Sequence, residues 1–247
     1  MNNLVSPSIA SGNHTWQTTI SKSKSFNGIG LHSGNLIKVN LKPGKENTGI
    51  IFVRSDIDKK IRERSIQALY SNVSDTSLCT TIENEYGIKV STIEHLMAAF
   101  NGTGIDNIII ELNGPEVPIM DGSSLPFIEI IEDCGIQSLK VKRKILKILK
   151  KIEVTVDNKS CSFTPSKDQK FSVEIDFENE AVGKQSASTS LTNYNFKKFA
   201  SNARTFGFMK DVEYMRSQGL GLGGSIDNCI IVDNNEIINP EGLRHEN

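Results

Sequence analysis

Apolar and polar residues alternate through Leu36-Ile37-Lys38-Val39-Asn40-Leu41-Lys42, and Pro43-Gly44 closes the run. This pattern predicts a half-buried strand ending in a turn, with Gly49-Ile50-Ile51-Phe52-Val53 as its neighbour. Residues 92–100 are rich in helix formers and lead into Asn101-Gly102, which predicts a short helix capped at that pair. Asn107-Ile108-Ile109-Ile110-Glu111-Leu112 then predicts a buried strand, so strands and helix share one mixed layer. Residues 1–25 are small and polar without periodicity, and are expected to form a loose leader. The fold is expected to start near Phe26.

A second half follows. Residues 140–151 carry Lys140, Lys142, Arg143, Lys144, Lys147, Lys150 and Lys151, while Ile145, Leu146, Ile148, Leu149 and Ile152 fall at helical spacing. Taken alone, that is the pattern of an amphipathic helix on an anionic surface. Ile152-Glu153-Val154-Thr155-Val156 continues it as a strand-like alternation, however, and the reading adopted is a strand from Lys144 onward that opens a second domain. The domain boundary is placed at Gln137, giving 26–137 and 138–247. Beyond it, residues 171–177 alternate as a strand, 204–218 read as the approach to and body of a helix stopped by Gly219, and 226–232 read as a further strand. Both halves thus run strands, helix, strand, and the predicted class is α+β with two similar domains.

Composition narrows the function. The chain has 247 residues with Lys+Arg 28 against Asp+Glu 29, a formal net charge of −1. Such a balance gives no general reason to bind nucleic acid. Hydrophobic residues make up 37% and charged residues 23%, the range of a protein that buries a core. Cys79, Cys134, Cys161 and Cys229 form no C-x-x-C pair, which argues for reduced thiols and against a zinc ribbon. No apolar run approaches the ~20 residues of a transmembrane segment and no secretory signal opens the chain, so a cytoplasmic location is expected.

Four segments carry candidate chemistry. Gly219-Leu220-Gly221-Leu222-Gly223-Gly224 fits G-x-G-x-x-G, but a helix precedes it and a strand follows, the reverse of the dinucleotide-binding order. It is read as a bend at a helix end. Glu94-His95 opens the first helix and places a carboxylate and an imidazole at one edge, which reads either as a satisfied structural histidine or as the pairing of a metal-ligating His with a water-activating Glu, a metal reading that rests on one ligand. Residues 113–124 read as a tight turn with Asp121 and Ser123 bonded to local backbone. Arg204-Thr205-Phe206-Gly207-Phe208 offers either a helix N-cap with core aromatics or a hydroxyl donor beside an apolar wall.

Six ordered blocks carry a family likeness: Gly28-Ile29-Gly30-Leu31-His32-Ser33-Gly34, Ser91-Thr92-Ile93-Glu94-His95-Leu96, Gly104-Ile105-Asp106-Asn107, Pro118-Ile119-Met120-Asp121-Gly122-Ser123, Ala203-Arg204-Thr205-Phe206-Gly207-Phe208 and Leu222-Gly223-Gly224-Ser225. In order and spacing the sequence resembles the UDP-3-O-acyl-N-acetylglucosamine deacetylase family, the zinc amidases of lipid A biosynthesis. The resemblance implies two α+β domains with helices packed at the interdomain interface. It further implies Zn2+ as cofactor, the UDP-sugar amide as substrate, and a monomeric enzyme.

Carried over by position, the resemblance makes His95 a zinc ligand and Glu94 the general base. Thr205 becomes the oxyanion donor, while Phe177, as the uracil-stacking aromatic, and Phe206 become substrate-binding residues. It also implies that the second domain is incomplete at Asn247, ahead of the His-Lys-x-x-Asp motif that carries the family's other two ligands. The alternative expectation is an inactive homologue that only binds a nucleotide-sugar or a protein partner.

Overall fold

The computed structural model describes residues 15–244, so the first part of the expected leader lies outside the described residues. In chain order the first half has β1 (Trp16–Ile20), β2 (Lys24–Ile29), β3 (Leu36–Pro43), β4 (Ile50–Arg54) and β5 (Ser65–Gln67). Next come β6 (Val73–Asp75), β7 (Thr81–Glu83), β8 (Lys89–Val90), helix α1 (Glu94–Thr103), β9 (Ile108–Leu112), helix α2 (Leu125–Cys134) and β10 (Ile136–Lys142).

The main sheet has the order β2-β3-β9-β4-β5, and β6, β7 and β8 form a small sheet of their own. Within the main sheet β4 runs parallel to β9 and the other pairs are antiparallel. Alternation in β3 buries Ile37, Val39 and Leu41 as its pattern predicts. Against that face α1 sets Leu96, Ala99 and Phe100, and α2 sets Phe127, Ile128 and Ile131, in one core with Phe52, Ile66 and Ile110. Each of the leucine, isoleucine and phenylalanine side chains gains about 1.5–3 kcal/mol from leaving water.

Three expectations are corrected. The leader does not extend to residue 25: β1 pairs antiparallel with β10, Ile20 opposite Ile136. Its polar side chains are buried because each finds a distant partner. The Thr18 hydroxyl donates to Asp106 Oδ2 at 3.3 Å, the Gly44 N–H to Thr19 Oγ1 at 2.9 Å, and Asn107 Nδ2 to Gln17 Oε1 at 3.0 Å. Helix α1 also passes through Asn101-Gly102 to Thr103, and Gly104 takes the left-handed cap at φ 78°. Gly102 serves packing instead, since a Cβ there would overlap the Phe196 ring.

The third correction concerns the basic stretch. Residues 143–151 form neither strand nor helix, and the strand expected from Lys144 begins at Ile152. Ile145 and Leu146 are 80% and 85% exposed. Periodicity cannot hold a strand by itself, and no neighbouring strand among the described residues pairs with this one. The expected boundary at Gln137 falls inside β10.

Beyond the basic stretch, β11 (Ile152–Val156) and β12 (Lys159–Phe163) form a hairpin about Asp157, whose φ of 53° suits a two-residue turn. A second hairpin joins β13 (Lys170–Asp176) to β14 (Lys184–Ser190). Short α3 (Asn193–Asn195) leads to β15 (Phe206–Phe208), helix α4 (Met209–Ser217), β16 (Ile230–Asp233) and β17 (Glu236–Ile237). The strand expected over 226–232 is therefore shorter, and 204–218 opens with a strand rather than an N-cap because β15 pairs in parallel with β16. The glycine run is the expected bend, with Gly219 and Gly221 at φ 73° and 66° after α4. The whole is a mixed α+β structure.

Candidate active site

The entrance to α1 is held from two sides. The Thr80 N–H donates to Glu94 Oε2 at 2.9 Å, and the Ile93 N–H donates to the Thr80 carbonyl at 3.4 Å. Just before it, Thr92 sits at φ 56°, a strained setting for a β-branched residue. Its hydroxyl donates to Glu116 Oε2 at 3.3 Å. The Glu116 carboxylate also accepts from the His32 N–H at 3.2 Å, the Ser33 N–H at 2.8 Å and the Ser33 hydroxyl at 2.5 Å. This carboxylate, 2% exposed, thereby fastens the 30–34 loop to the start of the helix.

His95 follows on the first turn. Burial pushes its imidazole pKa down, against the charges of Glu94 and Asp121, which raise it. The imidazole therefore favours its neutral form, the form that ligates a metal. Asp121 lies in the turn after β9, where it bonds local backbone as expected: Oδ1 accepts from the Ser123 N–H at 3.0 Å and the Ser123 hydroxyl at 2.8 Å. Its Oδ2 pairs with Arg244 Nη1, which also donates to Asn202 Oδ1 at 3.0 Å.

Burial works to raise the Asp121 pKa, but the Arg244 guanidinium and the Ser123 donors hold it below the ordinary value. A folded pKa below the unfolded ~3.9 stabilises the protein above about pH 4, and that stability is lost as pH falls through the folded value. Urea titrations between pH 2 and 6 are expected to show this acid limb, and Asp121→Asn to flatten it. An unchanged limb in the variant would rule out the Asp121 contribution.

Thr205 reaches the same turn from the second half. Its N–H donates to the Gly122 carbonyl at 2.9 Å, and its own carbonyl accepts from the Ile230 N–H at 2.9 Å. Beside it Phe177 and Phe206 meet edge to face with centroids 5.4 Å apart, and Phe208 lies 5.9 Å from Phe177. The bend after α4 docks on the 30–34 loop, where the Leu222 and Gly223 N–H groups donate to the His32 and Leu31 carbonyls at 3.2 and 3.0 Å.

The charges of Glu94 and Asp121 thus both act on His95, Thr205 is tethered to the turn that carries Asp121, and Phe177 and Phe206 share one aromatic cluster. Sequence reasoning missed Glu116 and Arg244. Glu116 lay inside the 113–124 segment already singled out, which held the signal for it. Among the described residues no three His, Cys, Asp or Glu side chains gather as a metal would require. Glu94 is engaged by Thr80 and Asp121 by Arg244 and Ser123, so His95 is a single candidate ligand, and the described residues do not fit a complete zinc site.

The family model for "LpxC: UDP-3-O-acyl N-acetylglycosamine deacetylase" matches residues 17–247. A UDP-3-O-acyl-N-acetylglucosamine deacetylase of Pasteurella multocida is 44% identical over 92% of this chain and 74% of its own length. The enzymes of that name from Campylobacter fetus and Neisseria meningitidis are 46% and 43% identical, over 94% and 93% of this chain and 76% and 75% of theirs. Among the described residues no helix is long and apolar enough to cross a membrane. With the Thr205 segment tethered to the Asp121 turn, whose charge acts on His95 at the entrance to α1, and the match running through nearly the whole chain, this protein belongs to the UDP-3-O-acyl-N-acetylglucosamine deacetylase family of hydrolases.

Proposed function

We propose that the chain hydrolyses the acetamide of UDP-3-O-acyl-N-acetylglucosamine, the committed step of lipid A biosynthesis, in the cytoplasm. What supports this reading is that Thr205, just ahead of β15, is tethered through its N–H to Gly122, next to the Asp121 whose charge acts on His95 beside Glu94 at the start of α1. An acetamide resists attack, so water must be deprotonated as it adds and the resulting oxyanion must be stabilised. Glu94, oriented by the Thr80 N–H, takes the water's proton and passes it to the departing amine nitrogen. The Thr205 hydroxyl donates to the oxyanion. The exposed edges of Phe177 and Phe206 offer the uracil a stacking surface. The resemblance's two-domain layout belongs to the same reading, with the Gly122–Thr205 tether joining the units.

Zinc remains part of the proposal only through His95. A catalytic site takes about three protein ligands, so the remaining donors must come from outside the described residues. That single imidazole also favours a second reading, a homologue that binds the nucleotide-sugar without turning it over.

Acetate release from the UDP-sugar amide tests both. Glu94→Gln is expected to lower kcat by about 10²–10⁴-fold and Thr205→Val by about 10²–10³-fold, each with substrate binding kept. Phe177→Ala is expected to weaken UDP binding by about 1–3 kcal/mol. Binding without acetate release establishes the second reading, and a Glu94→Gln protein with full turnover overturns the role of Glu94.

A further inference from the structure

Residues 140–152 hold seven of the chain's 28 Lys and Arg residues, and no Asp or Glu lies between Asp133 and Glu153. In a chain of net charge −1 this is a local concentration of positive charge, not a reflection of the whole. Two of the seven are neutralised: Arg143 Nη2 pairs with Asp106 Oδ2 at 2.7 Å, and Lys151 Nζ with Glu153 Oε2 at 2.8 Å. Lys140, Lys142, Lys144, Lys147 and Lys150 are exposed and form no ion pair among the described residues. Between them Ile145, Leu146 and Leu149 are 80%, 85% and 80% exposed. An isolated apolar side chain in water is ordinary, but a cluster of three such side chains in one short segment marks a contact surface. The segment is pinned at both ends and uncommitted between them. The Arg143 N–H donates to the Thr15 carbonyl at 3.0 Å and Ile152 pairs with Phe163, whereas no backbone group of residues 144–151 finds a backbone partner among the described residues.

We propose that residues 144–151 dock the chain on a bilayer surface of anionic phospholipid and fold there into an amphipathic helix. At about 100° per residue, a helix over this stretch gathers Ile145, Ile148 and Leu149 on one face, with Leu146 at its edge, and puts Lys144, Lys147, Lys150 and Lys151 on the other. The apolar face enters the acyl boundary, while the lysine stems lie along it and carry their ammonium groups to the headgroup phosphates. Helix formation closes the backbone bonds that the segment leaves open, which an apolar boundary demands and water does not. Trp16, half exposed opposite Lys142 in the β1–β10 pair, adds an indole of the kind that settles at headgroup level. Nucleic acid is the less suited polyanion. Residues 144–151 carry no aromatic ring to stack on a base and no arginine to read one, and their aliphatic side chains would stay in water against a phosphate backbone.

Vesicle flotation of the full chain tests this. With about 30% phosphatidylglycerol in phosphatidylcholine, affinity is expected to exceed that for pure phosphatidylcholine by about 25-fold or more, since each lysine near an anionic leaflet contributes about 5-fold. About 0.5 M salt is expected to remove most of that difference. A variant carrying Lys144→Glu, Lys147→Glu and Lys150→Glu is expected to bind charged vesicles no better than neutral ones. A second variant, with Ile145→Ser, Leu146→Ser and Leu149→Ser, keeps every charge and is expected to bind charged vesicles about 10-fold or more weakly. It is also expected to lose the gain in helical ellipticity that the unaltered chain shows on them. The substituted side chains are exposed and lie outside every strand and helix, so both variants are expected to fold; should one fail, the comparison of the two vesicle types with the unaltered chain decides. Equal affinity for the two vesicle types, or a serine variant that binds charged vesicles as well as the unaltered chain, overturns the proposal. Tighter binding to duplex DNA or to polyglutamate than to charged vesicles at the same salt also overturns it, and assigns the lysines to a nucleic acid or an acidic protein. Flotation reads binding without acetate release, so this contact stands or falls apart from the deacetylase reading.

Discussion

Glu116→Ala is expected to lower the unfolding free energy by about 3–5 kcal/mol, enough to threaten a fold stabilised by about 5–15 kcal/mol. The carboxylate is buried and accepts four hydrogen bonds, from two backbone N–H groups and two hydroxyls. Truncation strands all four donors, each costing about 1–3 kcal/mol if no water replaces the lost acceptor. The damage spreads beyond the vacated pocket, because the 30–34 loop also carries the backbone bonds from Leu222 and Gly223. Glu116→Gln keeps the shape and one acceptor oxygen but turns an amide N–H₂ toward existing donors, so a smaller loss of about 1–3 kcal/mol is expected. Urea unfolding of the two variants measures both values. A loss below about 1 kcal/mol for the alanine variant would mean that water or the Ser33 side chain replaces the carboxylate at little cost.

Gly122→Ala is the second large effect. Gly122 sits at φ 84°, and a Cβ there would overlap the Asn228 carbonyl, which is backbone and cannot rotate away. Left-handed strain of about 1–2 kcal/mol adds to an overpacking cost of about 1–3 kcal/mol, for a total of about 2–5 kcal/mol. Relief requires the Asp121 turn to move away from the segment that holds Asn228, and the Thr205 N–H to Gly122 carbonyl bond spans that same gap. Hydrogen exchange at the Thr205 amide is therefore expected to accelerate more than exchange at Leu112 or Ile128 in the first-half core. Uniform acceleration across all three amides would indicate global destabilisation rather than local separation.

What was legible in the sequence depends on how local its cause is. Helix α1 and strand β3 could be read because their burial follows from the spacing of their own side chains. Glu94 and His95 stood out because a helix start is a local event. Strand β1 was hidden because Gln17, Thr18 and Thr19 are buried through partners such as Asp106, Asn107 and Gly44, which no window of neighbouring residues contains. The same holds at the site, where Asp121 and Arg244 meet across 123 residues of chain. Residues 143–151 show the converse. Their periodicity suits helix or strand, and the choice belongs to a pairing partner that the pattern cannot supply. Phe177 as a substrate contact came from the family likeness alone; its edge-to-face contact with Phe206 is a fact of the fold.

The pairing of β1 with β10 has a bearing on synthesis. Ile20 waits for Ile136, 116 residues further along the chain. At about 5–20 residues per second a ribosome needs roughly 6–23 s to make that interval. During that time β1 is complete yet has no strand to bond with, and its buried Thr18 also waits for Asp106 to emerge. This early strand is thus among the last to settle, and its closure depends on a correctly assembled sheet and two helices. A nascent chain of this protein spends its longest exposed interval with Trp16–Ile20 as an open edge, the segment on which a chaperone or a neighbouring chain would act.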